Sequence, residues 1–297
     1  MKTKQIICLL FLLCSVGQVS AQQIADTAFT YRNPAPRYAD GQGPVVWLDE
    51  AHYNFHTLSG RYASFGRVVH DDRYRVSPNR QPFSSESLAS CKILVIANAL
   101  DSASSARWVL PNRSAFAPEE IEALRSWVEQ GGRLFLIADH MPFAGSAEAL
   151  AGVFGFEMLN CFAMDNRRRF PELFLRSNQT LLDGALTTGI DSVVTFTGSA
   201  FKIPKEAKAV LVLKNYTLLA PEQAWQFNDG TPYRDSEGWY QLAYRNYGKG
   251  KVVLSGEAAM FSAQLSGPGR NPVGMNQPEA RHNAAFLLQI LAWLDKG

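Results

Sequence analysis

The stretch Trp127-Val128-Glu129-Gln130-Gly131-Gly132-Arg133-Leu134-Phe135-Leu136-Ile137-Ala138-Asp139-His140 decides the fold. Just upstream, Phe116-Ala117-Pro118-Glu119-Glu120 opens a helix. Proline belongs in a first turn, where no backbone N–H is needed, and acids there meet the positive helix end. Ile121, Leu124, Trp127 and Val128 recur at helical spacing and give that helix an apolar face. Gly131-Gly132 stops it, because glycine enters the left-handed region that closes a helix without steric cost. Arg133 to Ala138 is then apolar without alternation, as a strand covered on both faces requires. Polar groups, Asp139-His140, follow at once.

Outward from this unit the same pattern returns. Pro44-Val45-Val46-Trp47-Leu48, Cys91-Lys92-Ile93-Leu94-Val95-Ile96-Ala97 and Lys251-Val252-Val253-Leu254 are further buried strands. Strands separated by helices imply right-handed crossovers and a mainly parallel central sheet, with about 44–48, 92–97, 133–138 and 251–255 at its centre. Ser146 to Phe154 reads as a short helix closed by Gly155. Glu279 to Leu294 reads as a closing helix that buries Ala284, Leu287, Leu288, Leu291 and Leu294. Residues 158–245 differ, with β-rich pieces among turns such as Asn228-Asp229-Gly230. They predict further strands and a variable, β-rich excursion at one edge. Residues 22–43 are polar, with Pro34, Pro36, Gly41 and Gly43, and read as an extended lead-in to a domain over 44–297.

The first 21 residues read as a signal peptide. Lys2 and Lys4 precede the apolar run Ile6 to Leu13, and Val19-Ser20-Ala21 offers small residues at the cleavage positions. The run is too short to span a bilayer, and no later segment approaches a span. The expectation is an exported chain, periplasmic or secreted. The full chain carries 29 basic and 27 acidic residues, so loss of Lys2 and Lys4 leaves 27 against 27. A balanced charge argues against nucleic acid as partner, which calls for a basic footprint. Cys8 and Cys14 leave with the signal, and Cys91 and Cys161 remain. An oxidising compartment permits their pairing; a buried free thiol is the simpler reading of Cys91.

The pieces 49–57 (Asp-Glu-Ala-His-Tyr-Asn-Phe-His-Thr), 127–140 and 248–261 (Gly-Lys-Gly-Lys-Val-Val-Leu-Ser-Gly-Glu-Ala-Ala-Met-Phe), with Gly274-Met275-Asn276 and the closing helix, carry a resemblance. They resemble an uncharacterised exported bacterial family, a domain of unknown function related to the class I glutamine amidotransferase-like and ThuA-like superfamily. The resemblance covers most of the mature chain and is loose in the middle. It implies a flavodoxin-like three-layer α/β sandwich and no established reaction. Amidotransferases of that superfamily place a nucleophilic cysteine in the sharp turn after the strand that follows the Gly-Gly helix end. Here that turn reads Ala138-Asp139-His140-Met141-Pro142, with neither cysteine nor serine. No G-x-S-x-G elbow occurs elsewhere.

What remains is a set of acids and imidazoles just past the strands. In a parallel sheet the loops after Leu48, Ala138 and Ser255 emerge at one edge, where open α/β sheets bind ligands. They would gather Glu50, His52, His56, Asp139, His140 and Glu257. Two functional classes follow. In the first, His52, His56, His140 and Asp139 are candidate ligands of a divalent metal such as zinc. Glu50, Asp139, His140 and Glu257 are then the candidate catalytic groups for hydrolysis of an ester, amide or glycan-derived substrate by metal-bound water. In the second, the chain is a non-catalytic module that lost the nucleophile and binds a sugar or a protein. The histidines then knit the loop through backbone bonds, and Asp139 caps a turn. Trp225, Phe227, Tyr233, Trp239 and Tyr240 could stack on a sugar ring, although burial of an inserted lobe explains them as simply. Arg167-Arg168-Arg169 reads as a solvated loop. The oligomeric state is open.

Overall fold

Strands without a polar face need cover on both sides, and the fold supplies it. The computed structural model describes residues 23–296; the segment read as a signal peptide lies outside the described residues. Successive side chains of each central strand go to opposite faces, as a pleated strand dictates. Val46, Leu48, Ile93, Val95, Phe135 and Ile137 pack against the helices Ala63–Asp71 and Asn283–Asp295 through Phe65, Val68, Leu287 and Leu291. Leu94, Ile96, Leu134, Leu136, Val252 and Leu254 pack against Pro118–Glu129 and Phe143–Val153 through Leu124, Val128 and Leu150. Full burial of each such aliphatic side chain contributes about 1.5–3 kcal/mol.

The resulting nine-stranded sheet is mixed. Its order begins Arg75–Asn79, Val45–Asp49, Ile93–Ala97, Arg133–Ile137, Gly250–Ser255, and these strands run parallel. It continues through Tyr240–Tyr247, Ala200–Lys202 and Glu157–Leu159, with Lys208–Val212 also on Tyr240–Tyr247, and every one of these pairings is antiparallel. The expected parallel centre is therefore one half of the sheet. The other half comes from the 158–245 region, whose remaining strands make smaller sheets of their own. The edge strand Arg75–Asn79 contains Pro78, which an edge tolerates because no ladder donor is missed there.

Gly131 and Gly132 act as read, each for its own reason. Gly131 has φ +129°, outside the range of ordinary side chains. A Cβ on Gly132 would sit 2.2 Å from the Trp127 ring. The lead-in docks onto the domain: Ile24–Ala25 pairs antiparallel with Ala263–Ser266. The Arg37 N–H donates to Asp72 Oδ1 at 2.7 Å, and the Tyr38 hydroxyl bonds the Asp295 carboxylate. Cys91 and Cys161 are both free and buried. Among the described residues no helix is long and apolar enough to cross a membrane.

Candidate functional site

The loop that follows Val45–Asp49 divides into two environments. In its first part His52 is clamped. Nδ1 lies 2.9 Å from Asp49 Oδ2, and Nε2 lies 2.9 Å from Glu120 Oε1. Asn54 Nδ2 donates to the same Asp49 oxygen at 2.9 Å, and Asn54 Oδ1 accepts the His52 N–H at 2.9 Å. Glu120 stands in the first turn of Pro118–Glu129, where its carboxylate also accepts the Phe83 and Ala117 N–H groups. The ring stacks on Phe83 with centroids 4.7 Å apart. Burial opposes charge on His52, but the hydrogen bonds and charges of Asp49 and Glu120 prevail and raise its pKa. Glu50 is spoken for as well. Its Oε1 accepts the Leu58 N–H at 2.8 Å and its Oε2 meets Arg80 at 3.3 Å. Neither Glu50 nor His52 lines the cavity described next.

That cavity, about 1060 Å³, opens past the carboxyl ends of the parallel strands, and His56, Arg61, Asn98, Asp139, His140 and Trp225 are among its lining. Ligand sites of roughly 300–1,000 Å³ are the usual size for small molecules. His56 is 2% exposed, and neither ring nitrogen has a hydrogen-bond partner among the described residues. Burial, then the charges of Arg61 and His140, pushes its pKa down to about 3, so the ring is neutral. Tyr62 holds one face, with centroids 4.4 Å apart. The Arg61 guanidinium lies 3.8 Å above the Phe55 ring, and its buried Nε is unpartnered among the described residues.

His140 follows the strand Arg133–Ile137. Its Nδ1 donates to Met141 O at 2.7 Å, so in the neutral ring Nε2 is the lone-pair nitrogen. The ring stacks on Phe162 at 4.4 Å and meets Trp225 edge-on at 4.8 Å. Asp139 donates its N–H to Asn98 Oδ1 at 2.9 Å, and its Oδ1 accepts the His140 N–H at 2.7 Å. Burial raises the Asp139 pKa. Glu257 is wholly buried and does not line the cavity. Its two oxygens accept Ala259 N–H and Met260 N–H, both at 2.8 Å. Burial, and then the Asp139 charge, raises its pKa well above the usual range. The region thus holds two buried carboxyls that resist simultaneous ionisation.

The structure therefore brings His56, Asp139 and His140 to one cavity with Glu257 buried outside it, and does not bring Glu50 or His52 there. The metal set His52, His56, His140 and Asp139 does not converge, because both His52 nitrogens are committed to carboxylates. Among the described residues no group of three or more His, Cys, Asp or Glu side chains is arranged to hold a metal ion. The residues present do not fit a zinc centre. Asn283, at the start of the closing helix, is structural: its side chain bridges Val194 and Met260. Burial pushes both thiols, Cys91 and Cys161, up to about 12. Sequence reasoning missed Arg61, Trp108 and Asn98. Asn98 carried a usable signal, as the first polar residue after the apolar strand Ile93–Ala97.

Fold and site together define an α/β protein with a ligand-sized cavity at the carboxyl edge of its parallel strands. In structure it is similar to the N-terminal domain of mmIFT52, with a TM-score of 0.59 and 16% identity over 85% of this chain and 98% of that one. A putative ThuA-like protein from Bacteroides uniformis matches with a TM-score of 0.48 and 11% identity, over 88% of this chain and 95% of that chain. A beta-galactosidase from Bacillus circulans matches at 0.43 and 12%, over 85% of this chain and 30% of its own length. At these identities the first likeness speaks to fold alone. No family model and no curated protein sequence matches the chain.

Proposed function

We propose that this is an exported protein whose cavity binds a small polar ligand with a flat face, a sugar or glycan fragment. Export rests on the N-terminal pattern of Lys2, Lys4 and the apolar run to Leu13. A flavodoxin-like, ThuA-related core is supported by the parallel half of the sheet with helices on both faces. The observation that carries the binding reading is the lining of the cavity. Trp108, Trp225, Phe55 and Phe143 supply aromatic walls, while His56, Arg61, Asp139 and His140 supply convergent polar groups. Aromatic walls with a few placed polar groups are the usual build of a small-molecule site.

A second reading is favoured by one observation, the free lone pair on His140 Nε2 beside a buried carboxyl. In it His140 takes the proton of an attacking water, and Asp139, whose pKa burial raises, gives a proton to the leaving oxygen or nitrogen. No protein nucleophile is needed. The test is calorimetric titration of a panel of neutral and acidic oligosaccharides into wild type and His140→Ala, with product analysis of the same mixtures. Binding by wild type and at least a tenfold loss in a folded His140→Ala protein are expected. A wild type that binds none of the panel would remove the sugar reading.

A further inference from the structure

We infer that the ligand carries a carboxylate, as a uronic-acid sugar does, and that Arg61 receives it. The inference rests on the sugar-binding reading and deepens it. None of the ion pairs among the described residues involves Arg61, although its guanidinium is partly buried. Cations taken out of water in proteins are normally matched by an anion or several acceptors. Arg61 has one protein acceptor, Phe55 O, at a long 3.4 Å from Nη1. Its Nε faces none. The side chain is nevertheless held in place by the Phe55 ring 3.8 Å below. A guanidinium held in place and short of acceptors is a preorganised fork for a carboxylate.

His56 makes a second, independent observation. It is 2% exposed, lines the same cavity, and has both ring nitrogens unpartnered among the described residues. A neutral imidazole offers one donor and one acceptor, which suits a ring hydroxyl beside the carboxylate. Buried polar groups nearly always find a partner, so two such groups without a protein partner mark one wall of the cavity as the place where a ligand's polar groups would be matched. Arg107, exposed at the rim, adds a second positive charge that steers an acidic ligand inward.

The deciding experiment uses matched ligands. Oligosaccharides from polygalacturonate, alginate and glucuronoxylan are titrated into the mature protein, and so are the same pools after reduction of every carboxyl to an alcohol. At least one acidic pool is expected to bind at least tenfold more tightly than its reduced form. Arg61→Met is expected to erase that difference, and Arg61→Lys, which keeps charge but loses the fork, to restore part of it. Circular dichroism confirms that each variant is folded. If acidic and reduced pools bind alike, and Trp225→Ala weakens both, the sugar site stands and the carboxylate inference falls. If Arg61→Met leaves an acid preference intact, Arg61 is not the receptor. If no pool binds, both readings fall together.

Discussion

His52 and His56 stand four residues apart on one loop and live in opposite worlds. His52 has both nitrogens taken by the Asp49 and Glu120 carboxylates and its pKa raised, so it behaves as a cross-link between the sheet and the helix Pro118–Glu129. His56 has neither nitrogen taken and its pKa pushed to about 3, so it behaves as a neutral, unfulfilled wall of a cavity. Residue type and spacing cannot tell them apart. What separates them is whether a partner from elsewhere in the chain arrives.

The largest expected effect breaks the first member of this pair. Asp49→Ala leaves the buried His52 ring with one carboxylate gone, and stability should fall by about 3–5 kcal/mol, the usual cost of breaking a buried pair. Guanidinium unfolding measures it, and a loss under about 1 kcal/mol would show that the clamp is ornamental. The pH profile sharpens the contrast, because the two rings act with opposite sign. For His52 the folded pKa lies above the ordinary 6.5, so its contribution is full below 6.5 and fades as pH rises through the folded value. For His56 the folded pKa lies near 3, so its contribution is full above 6.5 and is lost as pH falls from 6.5 toward 3.

His56→Phe follows from that second slope. It removes an orphaned polar group while keeping a ring against Tyr62. Stability near pH 7.5 should stay within about 1 kcal/mol of wild type, resistance to acid between pH 6.5 and 4 should improve, and affinity for the acidic oligosaccharides should drop about tenfold. A marked loss of stability at pH 7.5 would mean that His56 has a hidden partner and resembles His52 after all. Trp225→Ala should do less. The ring is half exposed and edge-on to His140, so its loss should weaken sugar binding by about 0.5–1.5 kcal/mol without moving the melting temperature. The smallest effect is none: an aromatic disulfide reagent should react with neither Cys91 nor Cys161 in the native protein and with both after unfolding. Rapid native reaction at Cys91 or Cys161 would contradict their burial.

The parallel half of the sheet was legible because residues 45–48, 93–97, 134–137 and 252–254 are apolar at every position, as burial on both faces requires. Arg75–Asn79 was not, since an edge strand with Arg75, Ser77 and Pro78 has no such pattern. The antiparallel half rests on strands as short as Ala200–Lys202, too brief for any periodicity. At the site, the position of Asp139-His140 past a central strand could be read locally. The fate of His52 could not, because Glu120 reaches it from a helix far along the chain. Arg61 was overlooked for a related reason: a lone arginine in a loop is ordinary until its lack of a partner is seen.

The pairing of Ile24–Ala25 with Ala263–Ser266 has a kinetic meaning. A ribbon that joins the beginning of a chain to its end cannot zip until nearly everything between has been made, and such distant closures come late in folding. Tyr38 tied to Asp295 in the last helix adds a second late clasp. A buckle that fastens last leaves the leading end of the domain loose until the closing helix is in place.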